Sequence, residues 1–433
     1  MAGLSAGLEL AQRGFEVVLL EASPYLGGRT ASWNKEGMDV ESGLHRVLGF
    51  YTAFPKLVKK AGLKMKDVVI WEDEIEIKVA DESSHVYGAS PVFKPFKTFS
   101  SPFRNSLISW NETWKATQFF ISGMMLFLAH PQRLDEFSVL DYAKRFHLNE
   151  KTVQRLLVPL TAGLFFLPPE RYSAYVFFGP FVHALRRFYR VRIGAFRGGM
   201  TQILVEPIVE QIKKLGGTVV TNARVTRLIV EKNRIKCVEV NDKTDYPCDY
   251  VVMAASLNSA HQIIRVSSLD YAFPELLSLP FMPEVNLQIE FARPAWPVDR
   301  TVFGVGTSLI TFSEQSRTTF TNKPGRLSII LTPPERIIDL RDEEIFEVFK
   351  LDAPRLGIDA AQVTNYRVIR HPADFYMLSP NMNKRRPKTR TPVEGLFLAG
   401  DYVQQSFMAS MEGAVISGNN AARAVIAAEK STR

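Results

Sequence analysis

The chain has 433 residues, 46% of them hydrophobic and 23% charged, which allows two or three globular domains and excludes a disordered polymer. Its 25 prolines are scattered and no solenoid-like period recurs, which excludes a repeat array. The net charge of +8 admits nucleic acid, anionic lipid or acidic ligands as partners, whereas two cysteines, Cys237 and Cys248, at neither redox nor zinc spacing, exclude a disulfide framework and imply a reducing compartment.

No secretory signal opens the chain. Residues 4–13, rich in small side chains, predict a helix that Gly14 ends, and 15–20 predict a short apolar strand finishing at Glu21. Gly3 takes the place of the third glycine of a dinucleotide-binding βαβ unit, and Glu21 that of the acidic group for ribose hydroxyls. The first two glycines would lie before Met1. The central strand and its phosphate turn are therefore expected to be missing from this chain, through a misplaced start or a truncation, and cofactor affinity to suffer. In 22–30, Gly27 and Gly28 precede Arg29, an arrangement that suits close backbone approach to an anion with charge compensation.

Residues 61–194 predict an early strand pair followed by helices, unusually apolar and aromatic: Trp110, Trp114, Phe119, Phe120, Met124, Met125, Phe127, Phe165, Phe166, Phe177, Phe178 and Phe181. Most are read as core, and Met beside Phe also suits the lining of an apolar tunnel. The apolar run 119–129 is shorter than the ~20 residues of a spanning helix and reads as a core helix or an interfacial segment. Arg186, Arg187, Arg190 and Arg192 alternate with Phe188 and Tyr189, which fits either a solvated face or an anionic membrane surface; no RNA-binding motif accompanies them.

Arg197-Gly198-Gly199-Met200 precedes an amphipathic helix ending at Gly216-Gly217, and a strand at 218–220 leads to Val225. Residues 263–387 predict alternating strands, such as 285–291, and a closing helix around 342–351. The basic run 384–390 reads as an exposed loop. After it come a buried strand at 395–399, then Gly400-Asp401, then a helix opening at Ala409-Ser410-Met411-Glu412-Gly413-Ala414 and continuing past Gly418.

Glu21 with Gly27-Gly28-Arg29, Gly43-Leu44-His45, and Gly400-Asp401-Tyr402 with 409–414 resemble the FAD-dependent amine-oxidase superfamily over nearly the whole chain. Within it they resemble the phytoene/ζ-carotene desaturase group, and they are also similar to hydroxysqualene dehydroxylases. The resemblance implies an α/β fold: an FAD/NAD(P)-binding Rossmann-like domain, its first strand missing here, with an inserted α+β substrate domain. The implied division is 1–60, 195–262 and 388–433 for the FAD-binding domain, and 61–194 and 263–387 for a substrate-binding, membrane-facing domain. The cofactor would be FAD, bound by Gly3, Glu21, Ala22, Gly27, Gly28, Arg29 and Thr30; by Gly43, Leu44 and His45; by Val225, through backbone contacts to the adenine; and by Gly400, Asp401, Met411, Glu412 and Ala414.

The implied activity is dehydrogenation or dehydroxylation of a long polyprenoid such as a carotene or squalene derivative, with a quinone or oxygen as electron acceptor. Such chemistry needs a hydride acceptor and a dry pocket rather than a protein nucleophile. No catalytic residue is singled out, no metal spacing is found, and His45 reads as structural or cofactor-adjacent. A flavin amine oxidase is the alternative, disfavoured by Met408 where amine oxidases place an aromatic residue, though Phe407 or Tyr402 could compensate. The chain also has Ile203 near where plant phytoene desaturases carry a cation. A second alternative is a non-catalytic lipid-binding protein or fragment. The expected location is cytoplasmic and peripheral to a membrane, or plastid if a leader is missing; no nucleic-acid partner is expected, and oligomeric state is not readable.

Overall fold

The computed structural model describes residues 1–104 and 107–432. Its first helix, α1 (Ala2–Ala11), consists almost wholly of small and aliphatic residues and buries all but Gly3 and Glu9, so it is packed on nearly every side. The short strand β1 (Val18–Leu20) follows, then the hairpin β2 (Ser32–Lys35) and β3 (Met38–Glu41), and helix α2 (Ala53–Lys60). The early strand pair is β4 (Glu74–Val79) with β5 (Ser84–Gly88). Helices α3 (Pro95–Arg104), α4 (Trp110–Ala129) and α5 (Ala174–Arg186) come after it.

Next are α6 (Glu206–Lys214), β6 (Thr218–Val220), β7 (Val225–Glu231), β8 (Arg234–Val240), β9 (Thr244–Pro247), β10 (Val251–Met253) and α7 (Leu257–Val266). The chain then runs through β11 (Phe281–Phe291), β12 (Thr301–Val305), β13 (Leu309–Glu314), β14 (Gly325–Leu331), α8 (Asp342–Asp352) and β15 (Val363–Tyr376). It finishes with β16 (Leu396–Leu398), buried throughout, and the long helix α9 (Met411–Thr432).

Two parallel strand pairs frame the region of interest, β1 with β6 and β10 with β16. Among the described residues no strand pairs with the other edge of β1 or of β10. Helix α1 packs on both pairs and on α6 and α9. The approach to α9 is close because Gly418 has no side chain: a Cβ there would lie 2.1 Å from Ser5 Oγ and 2.2 Å from the Ala2 carbonyl oxygen.

The largest sheet among the described residues has seven strands in the order β15-β11-β14-β13-β12-β4-β5. All its pairs are antiparallel except β12 with β4. Strands β12, β13 and β14 are buried on both faces although they carry Thr301, Ser313, Glu314, Arg326 and Ser328. These polar groups are largely engaged with one another and with neighbouring backbone: Glu314, for example, accepts from the Arg326, Ala295 and Ser316 amides.

One sequence expectation needs correction. Residues 263–387 do not close on the helix at 342–352, because α8 is followed by β15, the longest strand among the described residues. Its mixed composition, Val-Thr-Asn-Tyr-Arg-Val-Ile-Arg-His-Pro-Ala-Asp-Phe-Tyr, breaks the period-2 signal, and the register slips between Met282 and Glu284, opposite the Pro372 region. The aromatic stretch is largely core, as expected: nine of its twelve named residues belong to or pack against one apolar cluster. Phe119, Phe177 and Phe178 are buried with ring centroids 5.1 to 6.0 Å apart, whereas Trp110, Trp114 and Met125 are exposed. No helix of the described residues is long and apolar enough to cross a membrane.

Candidate functional site

A cleft of about 1820 Å³ opens between β1 and β10. Gly3 contributes from α1, Glu21 and Ala22 from the end of β1, and Gly27, Gly28, Arg29 and Thr30 from the following turn. His45, Val225, Gly400, Asp401, Met411 and Ala414 reach the same cleft from distant parts of the chain. Three of the expected site residues do not line it. Gly43 lies behind His45, Leu44 packs against the cluster of Ala162, Ile310 and Ile330, and Glu412 points elsewhere.

Each lining group is held by its local chain. The Glu21 amide donates to the Val220 carbonyl, continuing the β1–β6 pairing, and the Glu21 carboxylate accepts from the Ser23 amide at 2.9 Å. Gly27 and Gly28 adopt φ of 119° and 58°, and a Cβ on Gly28 would meet nothing, so the backbone there is open to a ligand. Arg29 and Asp401 meet as a bidentate pair at 3.1 and 2.5 Å, with the guanidinium 5.0 Å from the Phe375 ring centroid. Burial pushes the Asp401 carboxyl up, but the charge and hydrogen bonds of Arg29 outweigh it and hold the group below the usual carboxylate range. Burial pulls His45 down to about 4, so its ring is neutral at pH 7, with Nδ1 on the Gly43 carbonyl at 2.8 Å.

At the other side, α9 begins where Ser410 Oγ accepts from the Gly413 amide, and its first turn faces the cleft through Met411 and Ala414. Glu412 faces away, fully buried. Its carboxylate accepts from the Thr52 amide at 2.7 Å, the Thr52 hydroxyl at 3.0 Å, and the Ala53 and Phe54 amides at 2.8 Å each. It therefore caps the N-terminus of α2, where unpaired amides and the helix dipole favour an anion.

The structure also corrects the reading of 384–390 as a wholly exposed loop. Arg386 is buried and donates to the carbonyls of Asp401, Tyr402, Val403 and Gln405, so it fastens the loop between β16 and α9. A basic run conceals such a residue, and no sequence signal marks it; the following Pro387 is buried as well. His183 fixes the same loop from α5: its Nε2 lies 2.9 Å from the Ser406 carbonyl oxygen, and its ring stacks on Phe407 at 4.0 Å. Neither Tyr402 nor Phe407 lines the cleft.

Residues 1–426 match the family of flavin containing amine oxidoreductases. The chain belongs to that family. This amine oxidoreductase family member is an FAD-dependent enzyme. It is 27% identical over 445 residues to a 15-cis-phytoene desaturase of an Oncidium hybrid cultivar, covering 98% of this chain and 76% of the relative. It is 25% identical to the 15-cis-phytoene desaturase of Synechococcus elongatus over 99% of this chain and 94% of the relative. A probable zeta-carotene desaturase of the same organism is 22% identical over 99% and 97%. Among solved structures, a putrescine oxidase bound to putrescine superposes with a TM-score of 0.76 at 17% identity, covering 98% of this chain and 97% of that one. The family member thus has the family's α/β flavoprotein fold.

Proposed function

We propose that FAD lies along the cleft between β1 and β10 and that the chain dehydrogenates, or dehydroxylates, a long polyprenoid at a membrane surface. The cleft's chemistry fits the cofactor. Glu21, at a strand end, suits ribose hydroxyls, and Val225 at the start of β7 suits the adenine end. The open backbone at Gly28 beside Arg29 suits the pyrophosphate, and the first turn of α9 presents amides to an electron-rich flavin edge. Bound FAD supplies a hydride acceptor for a C–H bond that no side chain could attack. The protein's part is to align the substrate and exclude water.

The observation that carries the polyprenoid reading is that phytoene desaturases align with 98 and 99% of this chain. Neither aromatic residue that could compensate for Met408 lines the cleft, since Tyr402 is buried behind Gly400 and Phe407 stacks on His183. We assign 1–60, 195–262 and 388–433 to FAD and 61–194 and 263–387 to the substrate, with a quinone or oxygen taking the electrons. Membrane contact is supported by the exposed face of α4, where Trp110, Trp114, Ile121, Met125 and Leu128 are each at least half exposed, and by the shallow apolar groove beside Met125. Helix α5 packs on α4, and exposed Leu185, Phe188 and Tyr189 at its end are accompanied by Arg186, Arg187 and Arg190.

The test is anaerobic bleaching of the FAD-loaded chain in liposomes by phytoene, ζ-carotene, hydroxysqualene or a primary amine. Bleaching by one of the three polyprenoids and not by the amine supports the reading. Bleaching by the amine alone overturns it in favour of an amine oxidase. Failure to take up FAD, with lipid still bound, favours a non-catalytic lipid-binding protein.

A further inference from the structure

His371 lies on β15 directly opposite Glu284 of β11, in the wall of the cleft. Its Nε2 is 2.7 Å from the Ser42 carbonyl oxygen and its Nδ1 is 3.3 Å from Asp374 Oδ2. A carbonyl oxygen only accepts hydrogen bonds, and so does an ionised carboxylate. Asp374 is held ionised, first by its bond to the ring and also by Arg29, so both ring nitrogens carry a proton. A second carboxylate faces the same ring: Glu284 Oε2 is 3.8 Å from Nε2 and has no hydrogen-bond partner of its own. The remaining charged or titratable groups around it are Arg29, across the Phe375 ring, and His45.

Ser42 connects this ring to the cofactor cleft. Its hydroxyl donates to the Arg29 carbonyl and its amide to the Ala31 carbonyl, so it is joined at two points to the turn that carries Gly27, Gly28 and Arg29. Three residues on is His45, which lines the cleft. A group that holds the Ser42 carbonyl therefore holds both segments against β15.

We infer that doubly protonated His371 is a positioning latch that fastens β15 to Ser42 and, through it, to the Arg29 turn, so that the cleft's grip on FAD depends on the charge of this one ring. Losing the Nδ1 proton would leave Asp374 facing a lone pair. Losing the Nε2 proton would set the ring nitrogen against the Ser42 carbonyl. The Asp374 anion claims the one proton left on a neutral ring, so Nε2 is the nitrogen left bare, the bond to Ser42 is lost and the latch opens. Burial disfavours the ring's charge, but Asp374, Glu284 and the Ser42 carbonyl together raise the group above its ordinary value. The latch is therefore fully closed below the ordinary histidine range and opens as pH rises through the raised value. Burial holds Glu284 up to about 7, so this carboxylate is anionic on the alkaline side, where it opposes opening.

The experiment is FAD affinity of the full chain, read by quenching of flavin fluorescence from about pH 6 to about pH 10, with ¹⁵N spectra of the histidine rings recorded on the same samples. The wild type is expected to hold FAD evenly through neutrality and to weaken about tenfold or more across an alkaline step. His371→Gln is expected to bind weakly with no step, and Glu284→Gln to move the step to lower pH. A His371 ring with one unprotonated nitrogen at neutral pH, or a step that persists in His371→Gln, overturns the latch. Should His371→Gln fail to fold, Glu284→Gln keeps the ring, and a step that does not move overturns the latch as well. The ring spectra do not need the substrate reading, so a chain that ignores every polyprenoid leaves this test intact.

Discussion

Arg29 and Asp401 are 372 residues apart in sequence, yet they form a bidentate ion pair in the wall of the cleft. Arg29→Ala leaves a nearly buried carboxylate without its partner, and we predict a loss of about 3 kcal/mol in urea unfolding at neutral pH. Because Asp401 is held below the ordinary carboxylate range, the pair stabilises the fold above that range and the stabilisation is lost as pH falls through the lowered value. The gap between wild type and Arg29→Ala should therefore close in acid; a gap that stays constant down to acid unfolding contradicts the pairing. Arg386→Leu would strip four carbonyls of their donor, and we expect about 2–4 kcal/mol of destabilisation together with weaker FAD binding, against almost no change for the exposed Lys384→Leu. Arg29 and Asp401 were legible because glycines and a strand end mark their positions. Arg386 was not, since nothing in Lys-Arg-Arg-Pro separates the one buried cation from its solvated neighbours.

Helix α9 has two separable tasks in its first half. Met411 and Ala414 face the cleft, while Glu412 and Gly418 join the helix to α2 and α1. Glu412→Gln is expected to cost about 1–2 kcal/mol of stability, by weakening the α2 cap, with FAD affinity changed less than threefold. The reverse pattern, intact stability with lost flavin affinity, would return Glu412 to the cofactor. Gly418→Leu should cost about 2 kcal/mol or more, since the side chain must displace Ser5 and the Ala2 carbonyl; thermal unfolding unchanged from wild type would contradict that packing. The elements with strong local signals, α1, β6, β16 and α9, sit within a few residues of where periodicity and end residues put them. Strand β15 escaped because it is half exposed and mixes Arg, His, Pro and Asp with its apolar residues, so that pairing with β11, rather than its own pattern, makes it a strand. The role of Glu412 escaped for a related reason: a sequence gives the order of residues along a helix but not which neighbour each face meets.

At the scale of the whole molecule, the fold brings the segments around residues 3, 21–30, 45, 225 and 400–414 to one cleft, and leaves an apolar, arginine-flanked face on α4 and α5. Co-sedimentation with anionic vesicles should remove most of the protein from solution, with each arginine near the surface contributing about 1 kcal/mol. Trp114→Ser with Met125→Ser should release it, and added salt should weaken binding in part; equal sedimentation of wild type and variant would assign the contact elsewhere. The convergence of the outer segments was legible because glycine, acidic and helix-start signals recur in one order. The seven-stranded sheet and the His371 cluster depend on pairings between distant strands, which local patterns do not encode. The most direct measurement of the central claim is an FAD titration of the full chain beside Glu21→Gln and Arg29→Met, followed by calorimetry. One FAD per chain, with each variant weakened by about tenfold or more, about 1.4 kcal/mol, is the predicted result. Binding of equal strength in all three proteins, or in none, would contradict it.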